Sequence, residues 1–136
     1  MVLATPRILI SDDDAALRRV LAESLATRGF EVTVTGDGGE AIDVWDSTGG
    51  RFQLCLVDFH MPRANGLEVI RHVQSTATAT GRPACVLMSA DLTDAIRTAA
   101  VEARVHQVLA KPLRIKTLGE VIREALRSVT GGPAFN

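Results

Sequence analysis

The chain has 136 residues, 46% of them hydrophobic, with 15 Lys and Arg against 16 Asp and Glu for a net charge of -1. That length suits one domain, and that apolar share is enough for a core. Near-neutral charge gives no electrostatic reason to expect nucleic acid or an anionic membrane as partner. The apolar runs are far shorter than the roughly 20 residues that cross a bilayer, and Met1 to Arg7 lacks the pattern of a secretory signal.

In chain order, short apolar runs alternate with helical periodicity. Arg7 to Ile10 predicts the first strand. From Asp14 to Arg28, Leu17, Val20, Leu21 and Leu25 recur at helical spacing, with Asp14 placed to cap the helix and Gly29 to stop it. Phe30 to Thr35 is the second strand, Gly36-Asp37-Gly38-Gly39 a turn, and Glu40 to Ser47 a short helix ended by Gly49-Gly50. Phe52 to Val57 is the third strand, and it leads directly into Asp58. A loop from Met61 to Gly66 precedes a helix over Leu67 to Gln74, and Ser75 to Arg82 is a polar connection. Ala84 to Met88 is the fourth strand, Thr93 to Ala103 a helix, Gln107 to Ala110 the fifth strand, and Ile115 to Val129 a strongly amphipathic helix. Gly131-Gly132-Pro133 closes the domain.

Five strand–helix units predict an α/β fold, a parallel sheet with helices on both faces. With no internal repeat or linker, residues 1–136 read as a single domain, its core spanning about 7–129 and its tail 130–136. Cys55 and Cys85 lie inside apolar strands, which suits small core residues in a reduced, cytoplasmic protein. A disulfide between them requires neighbouring strands with suitable geometry.

In such a sheet the strand C-terminal ends open on one edge, where ligands and chemistry sit. Asp12, Asp13 and Asp14 follow the first strand, Asp58 the third, Ser89 the fourth and Lys111 the fifth. A carboxylate at a strand tip can be a metal ligand, a general base or a covalent acceptor. Clustered carboxylates need a counter-charge, which Mg²⁺ supplies, keeping waters and phosphate oxygens in its remaining positions. The Ser89 hydroxyl and Lys111 ammonium suit an anionic oxygen. Together they describe a phosphoryl site in which Asp58 is the nucleophile.

The segments Ile8-Leu9-Ile10-Ser11-Asp12-Asp13-Asp14, Val57-Asp58-Phe59-His60-Met61-Pro62-Arg63-Ala64-Asn65-Gly66, Val86-Leu87-Met88-Ser89-Ala90 and Leu109-Ala110-Lys111-Pro112 resemble the receiver domains of two-component response regulators. The resemblance runs from about Arg7 to Val129. It implies a flavodoxin-like five-stranded sheet of order 2-1-3-4-5. It implies that Asp58 accepts phosphate from a sensor histidine kinase or phosphotransfer protein. Asp13 and Asp58 would ligate Mg²⁺ directly, Asp12 mainly through water, and the His60 backbone carbonyl would complete the protein ligands. Ser89 would be the switch hydroxyl, Lys111 the partner of the phosphoryl group, and Pro112 would follow a cis peptide bond. The implied protein is a phosphoacceptor switch rather than a metabolic enzyme, a monomer or weak dimer acting on an output protein.

Two departures stand out. The family usually has an aromatic ring three residues before the lysine, and often Gly-Ala upstream of strand five; here the positions hold Val108 and Arg104-Val105. An aromatic rotamer switch is therefore unavailable, and a phosphate-independent interaction module is the main competing function. A phosphatase of the haloacid dehalogenase type competes less well, because its second Asp, two residues past the nucleophile, is replaced by His60. His60 and Asp91 are expected to flank the path of a water attacking the phosphoryl group and so to set its lifetime, with solvated loop residues as the plainer reading. Asp37 and Asp46 read as turn and helix-surface residues, His72 and His106 as surface or sheet-edge residues without a second metal ligand, and Trp45 as core. Arg18 and Arg19 read as a solvated helix face, and Arg97, Arg104, Arg114 and Lys116 as a possible partner face.

Overall fold

The computed structural model describes residues 5–77 and 82–130, so part of the polar connection after residue 75 and the Gly131-Gly132-Pro133 end lie outside the described residues. Its strands are β1 (Arg7–Ser11), β2 (Glu31–Thr35), β3 (Leu54–Asp58), β4 (Ala84–Ser89) and β5 (Gln107–Ala110). The helices alternating with them are α1 (Ala15–Thr27), α2 (Gly38–Ser47), α3 (Gly66–Thr76), α4 (Asp94–Glu102) and α5 (Ile115–Thr130). All strand pairs are parallel, in the order β2-β1-β3-β4-β5.

The central strands are unbroken apolar runs because both faces are covered. Ile8, Ile10, Leu54, Leu56, Val86 and Met88 point to one side, against Leu21 and Leu25 of α1 and Leu118, Ile122 and Leu126 of α5. Leu9, Cys55, Val57, Cys85 and Leu87 point to the other, against Trp45 of α2, Val69, Ile70 and Val73 of α3 and Ile96 of α4. Trp45 is core as expected, and its indole Nε1 donates to Thr76 Oγ1 at 2.8 Å.

Cys55 and Cys85 sit opposite one another on β3 and β4, both buried and both free thiols. The Cys55 thiol is pushed well up by its contact with Cys85 and by burial. A protonated thiol is a poor nucleophile, so the pair behaves as small core residues.

Most helix ends follow from local chemistry. Asp14 caps α1, its Oδ1 accepting from Ala16 N at 3.0 Å and Leu17 N at 3.1 Å. Asn65 and Glu68 form a reciprocal capping box on α3. The start of α2 differs from expectation. Asp37 is its cap and Gly38 and Gly39 its first turn, so those glycines are helical rather than a turn. Strand three also begins later than expected, leaving Phe52 ahead of it, where the ring stacks on Trp45 and lies under the Arg7 guanidinium.

Candidate functional site

The expected residues converge at the C-terminal edge of the sheet. Asp58 is the last residue of β3 and Ser89 the last of β4, while Asp12 and Asp13 follow β1 and Lys111 follows β5. The hydrogen bond from Asp12 N to the Thr35 carbonyl, 3.2 Å, carries the β1–β2 pairing one step past the strand and seats the first acid. The bond from Phe59 N to the Met88 carbonyl, 2.8 Å, does the same for the residue after Asp58.

Carboxylate oxygens of Asp12, Asp13 and Asp58 all lie within 4.8 Å of one another. Lys111 closes the cluster from β5, its Nζ 2.7 Å from Asp12 Oδ2 and 3.3 Å from Asp58 Oδ1. Asp12 is wholly buried and Asp58 nearly so. Burial, then the charge of Asp12, pushes the Asp58 carboxyl up, and Lys111 only partly opposes this. Burial also pulls the Lys111 ammonium down, but the hydrogen bond and charge of Asp12, reinforced by Asp58, outweigh it and hold the ammonium above its ordinary value. Three carboxylates and one ammonium leave two negative charges uncompensated. Three hard oxygen donors with no thiol or imidazole among them, and a deficit of two charges, fit Mg²⁺ in both chemistry and charge.

Ser89 is buried, and its Oγ donates to Asp91 Oδ1 at 3.2 Å and accepts from Asp91 N at 3.3 Å. The same Asp91 Oδ1 is 2.7 Å from His60 Nε2. His60 and Asp91, expected only to flank the site, therefore bridge the loop after β3 to the loop after β4. The hydrogen bond of His60, more than that of Ser89, holds the Asp91 carboxyl below its usual range. Lys111–Pro112 is cis, as expected.

Two site features were not anticipated. Arg18, expected on a solvated helix face, reaches back from α1 to donate its Nη1 to the Asp12 carbonyl at 2.7 Å. Asp37, read as a turn residue, accepts from Arg63 Nε at 3.0 Å. His72 Nε2 contacts Asp46 Oδ1 and His106 Nε2 contacts Glu124 Oε2, so both imidazoles are engaged in side-chain hydrogen bonds away from the site acids. Val108 lies opposite Leu87 on β5 and packs partly buried in the layer that holds Leu92, Ala99 and Val105. Arg97, Arg104, Arg114 and Lys116 are all exposed.

Residues 8–123 match the model of the response regulator receiver domain. The chain belongs to that family. The response regulator MprA of Mycolicibacterium vanbaalenii is 37% identical over 124 residues, a match covering 91% of this chain and 52% of the relative. The peroxide stress-activated histidine kinase mak3 of Schizosaccharomyces pombe is 30% identical over 131 residues, covering 94% of this chain and 6% of the kinase. The receiver thus spans about half the length of the one relative and a small part of the other. Among solved structures, a CheY-like receiver from Methanospirillum hungatei superposes with a TM-score of 0.82 at 23% identity, covering 92% of this chain and 96% of that one. The N-terminal domain of a Wolinella succinogenes protein superposes with a TM-score of 0.81 at 26% identity, covering 91% and 95%.

Receiver domains are signalling switches of two-component systems that bind Mg²⁺ at an acidic pocket and interact with histidine kinases and output partners. Asp12, Asp13 and Asp58 form an acidic cluster here. Among the described residues, no helix is long and apolar enough to cross a membrane.

Proposed function

We propose that this receiver is an active phosphoacceptor, with Asp58 taking a phosphoryl group from a phosphohistidine on a sensor kinase or phosphotransfer protein in the cytoplasm. The observation that carries this reading is Lys111, whose ammonium lies between Asp12 and Asp58 where a phosphoryl oxygen would otherwise need a partner. In the reaction an Asp58 carboxylate oxygen attacks phosphorus, the P–N bond breaks, and its electron pair returns to the donor imidazole, which takes up a proton. Asp13 and Asp58 would hold Mg²⁺ directly, Asp12 through water, with the His60 carbonyl completing the protein ligands. The ion supplies charge neutralisation for the phosphoryl oxygens. Lys111 exchanges its ion-pair contact with Asp58 for one with the phosphoryl group, and Ser89 releases Asp91 to donate to it.

Release of Asp91 is also the step through which the signal leaves the site. With Val108 in the aromatic position, Ser89 and Asp91 connect the phosphoryl group to the loop ahead of α4 without a ring flip. Phosphate can bias the surface presented to an output protein only by the difference in its affinity for the two arrangements of that loop.

Incubation with acetyl phosphate and Mg²⁺, followed by intact-mass measurement, tests the reading. One phosphoryl adduct is expected on the natural chain, lost without Mg²⁺ and absent from Asp58→Asn. An unmodified natural chain would instead favour a phosphate-independent interaction module, for which Val108 is the argument. Brisk multiple turnover of generic monoesters would favour a phosphatase.

The His60–Asp91 pair is exposed, so solvent screens it and its effect on the rate is modest. It spans the loops on either side of the path by which water reaches phosphorus. Dephosphorylation of His60→Ala and of Asp91→Ala is therefore expected to quicken severalfold, at an unchanged melting temperature for His60→Ala and a lower one for Asp91→Ala, which takes the acceptor from the buried Ser89 hydroxyl. Rates equal to those of the natural chain would return both residues to the status of solvated loop.

A further inference from the structure

Helix α2 opens on two glycines, which are weak helix formers, so a local reason for them has to be found. They make room for the loop after β3. A Cβ on Gly38 would lie 1.9 Å from the Ala64 carbonyl oxygen, and one on Gly39 would lie 2.5 Å from Arg63 Nε. The space they leave is filled by bonds. Gly38 N donates to the Pro62 carbonyl at 3.1 Å. Asp37 Oδ1 caps the helix through Glu40 N at 2.7 Å and accepts from Arg63 Nε at 3.0 Å. Ser11 Oγ sits 3.3 Å from the Asp37 carbonyl and 3.0 Å from Met61 Sδ.

Arg63 has φ of 71°, in the left-handed region that non-glycine residues seldom occupy. Its guanidinium on Asp37 and the Gly38 bond to Pro62 hold the chain there. The loop is thus gripped just after His60, at Pro62 and Arg63 by a helix end that supplies none of the site carboxylates and at Met61 by Ser11 of β1.

We propose that Asp37 and Arg63 are positioning residues for the metal site, setting the His60 main-chain carbonyl through this grip. The inference rests on the reading that this carbonyl is a Mg²⁺ ligand. Residues that orient metal ligands typically change affinity about 10- to 100-fold when removed. Simple electrostatics makes a contrary statement about one of them. Removing the positive charge of Arg63 near an acidic cluster should tighten Mg²⁺ binding, whereas loss of the grip should weaken it.

The test is a Mg²⁺ titration of the intact, unphosphorylated chain, followed by NMR of the backbone amides, for the natural sequence, Asp58→Asn, Asp37→Asn, Arg63→Ala and the Asp37→Asn/Arg63→Ala double variant. Asn keeps the Oδ1 that caps the helix and accepts from Arg63 Nε but carries no charge, so it weakens the grip without uncapping the helix, while Arg63→Ala removes the grip. Arg63→Ala is expected to bind Mg²⁺ about tenfold more weakly, Asp37→Asn less so, and the double variant no more weakly than Arg63→Ala, because both changes act on the same contact. Unchanged or tighter binding by Arg63→Ala, while Asp58→Asn loses binding, would overturn the positioning role and leave the site intact. No Mg²⁺ binding by the natural chain would overturn the site reading and this proposal together.

Discussion

Asp58→Asn should melt at a higher temperature than the natural chain at neutral pH without Mg²⁺, while losing all capacity to carry a phosphoryl group. Asn has the shape of Asp but no anionic oxygen, so no acyl phosphate can form at this position. The gain in stability follows from the sign of the pKa shift. Burial and Asp12 raise the Asp58 carboxyl above its ordinary value in the folded chain. Below the unfolded carboxylate range the group is protonated in both states and imposes no penalty. As pH rises through the folded value, the native state must hold an anion that the unfolded chain solvates more cheaply, and the penalty becomes complete. At pH 7 the natural chain carries that penalty and the variant does not.

The difference in melting temperature should therefore shrink as pH falls through the carboxylate range. Mg²⁺ should narrow it too, because binding at one hundred times Kd stabilises the natural chain by about 2.7 kcal/mol and the variant by less. A variant less stable than the natural chain at pH 7 would mean that the Lys111 contact with Asp58 outweighs the burial of the charge.

The sheet was legible because its central strands are buried on both faces, which turns Leu54-Cys55-Leu56-Val57 and Ala84 to Met88 into unbroken apolar runs with the functional residue at the end. The tips Asp58, Ser89 and Lys111 were readable for the same reason, since position at a strand end is a property of local sequence. The start of α2 was not. Gly38 and Gly39 look like a turn by propensity, and they are helical because a carbonyl and a guanidinium from the loop after β3 occupy the space of their missing side chains.

Arg18 escaped for a related reason. Nothing in the spacing of α1 reveals that one arginine on its polar face turns back to the Asp12 carbonyl. His60 and Asp91, 31 residues apart, were each placed near the site by position, but their bond to one another depends on how two loops meet above the sheet. Contacts between loops of different strand–helix units are set by tertiary packing, and the sequence pattern carries them only weakly.

Lys111→Ala should separate two quantities that usually fall together in a damaged protein, metal affinity and phosphorylation. Lys111 is the cation that offsets Asp12, whose side chain has no solvent exposure, and it also touches Asp58. Removing one partner of a buried ion pair costs about 3–5 kcal/mol because the other charge is left unpaired. The Lys111 side chain keeps 18% of its surface in water, so the lower end applies. At about 3 kcal/mol, and about 3–4 °C per kcal/mol for a chain of this size, the melting temperature without Mg²⁺ should fall by roughly 10 °C.

The raised Lys111 value gives the pH sign. The contribution of the ammonium is fully present at and below neutral pH and is lost only as pH climbs through its folded value, above the ordinary lysine range. The deficit of the variant should therefore persist across pH 6 to 9 and close only in strong alkali. With the ammonium gone the acid cluster is more negative, so Mg²⁺ should bind more tightly and recover part of the lost stability. Phosphoryl transfer should nevertheless drop, because the oxygen that Lys111 would hold has no partner. A variant that binds Mg²⁺ more weakly than the natural chain would show that Lys111 helps to build the metal site rather than competing with the ion for the same carboxylates.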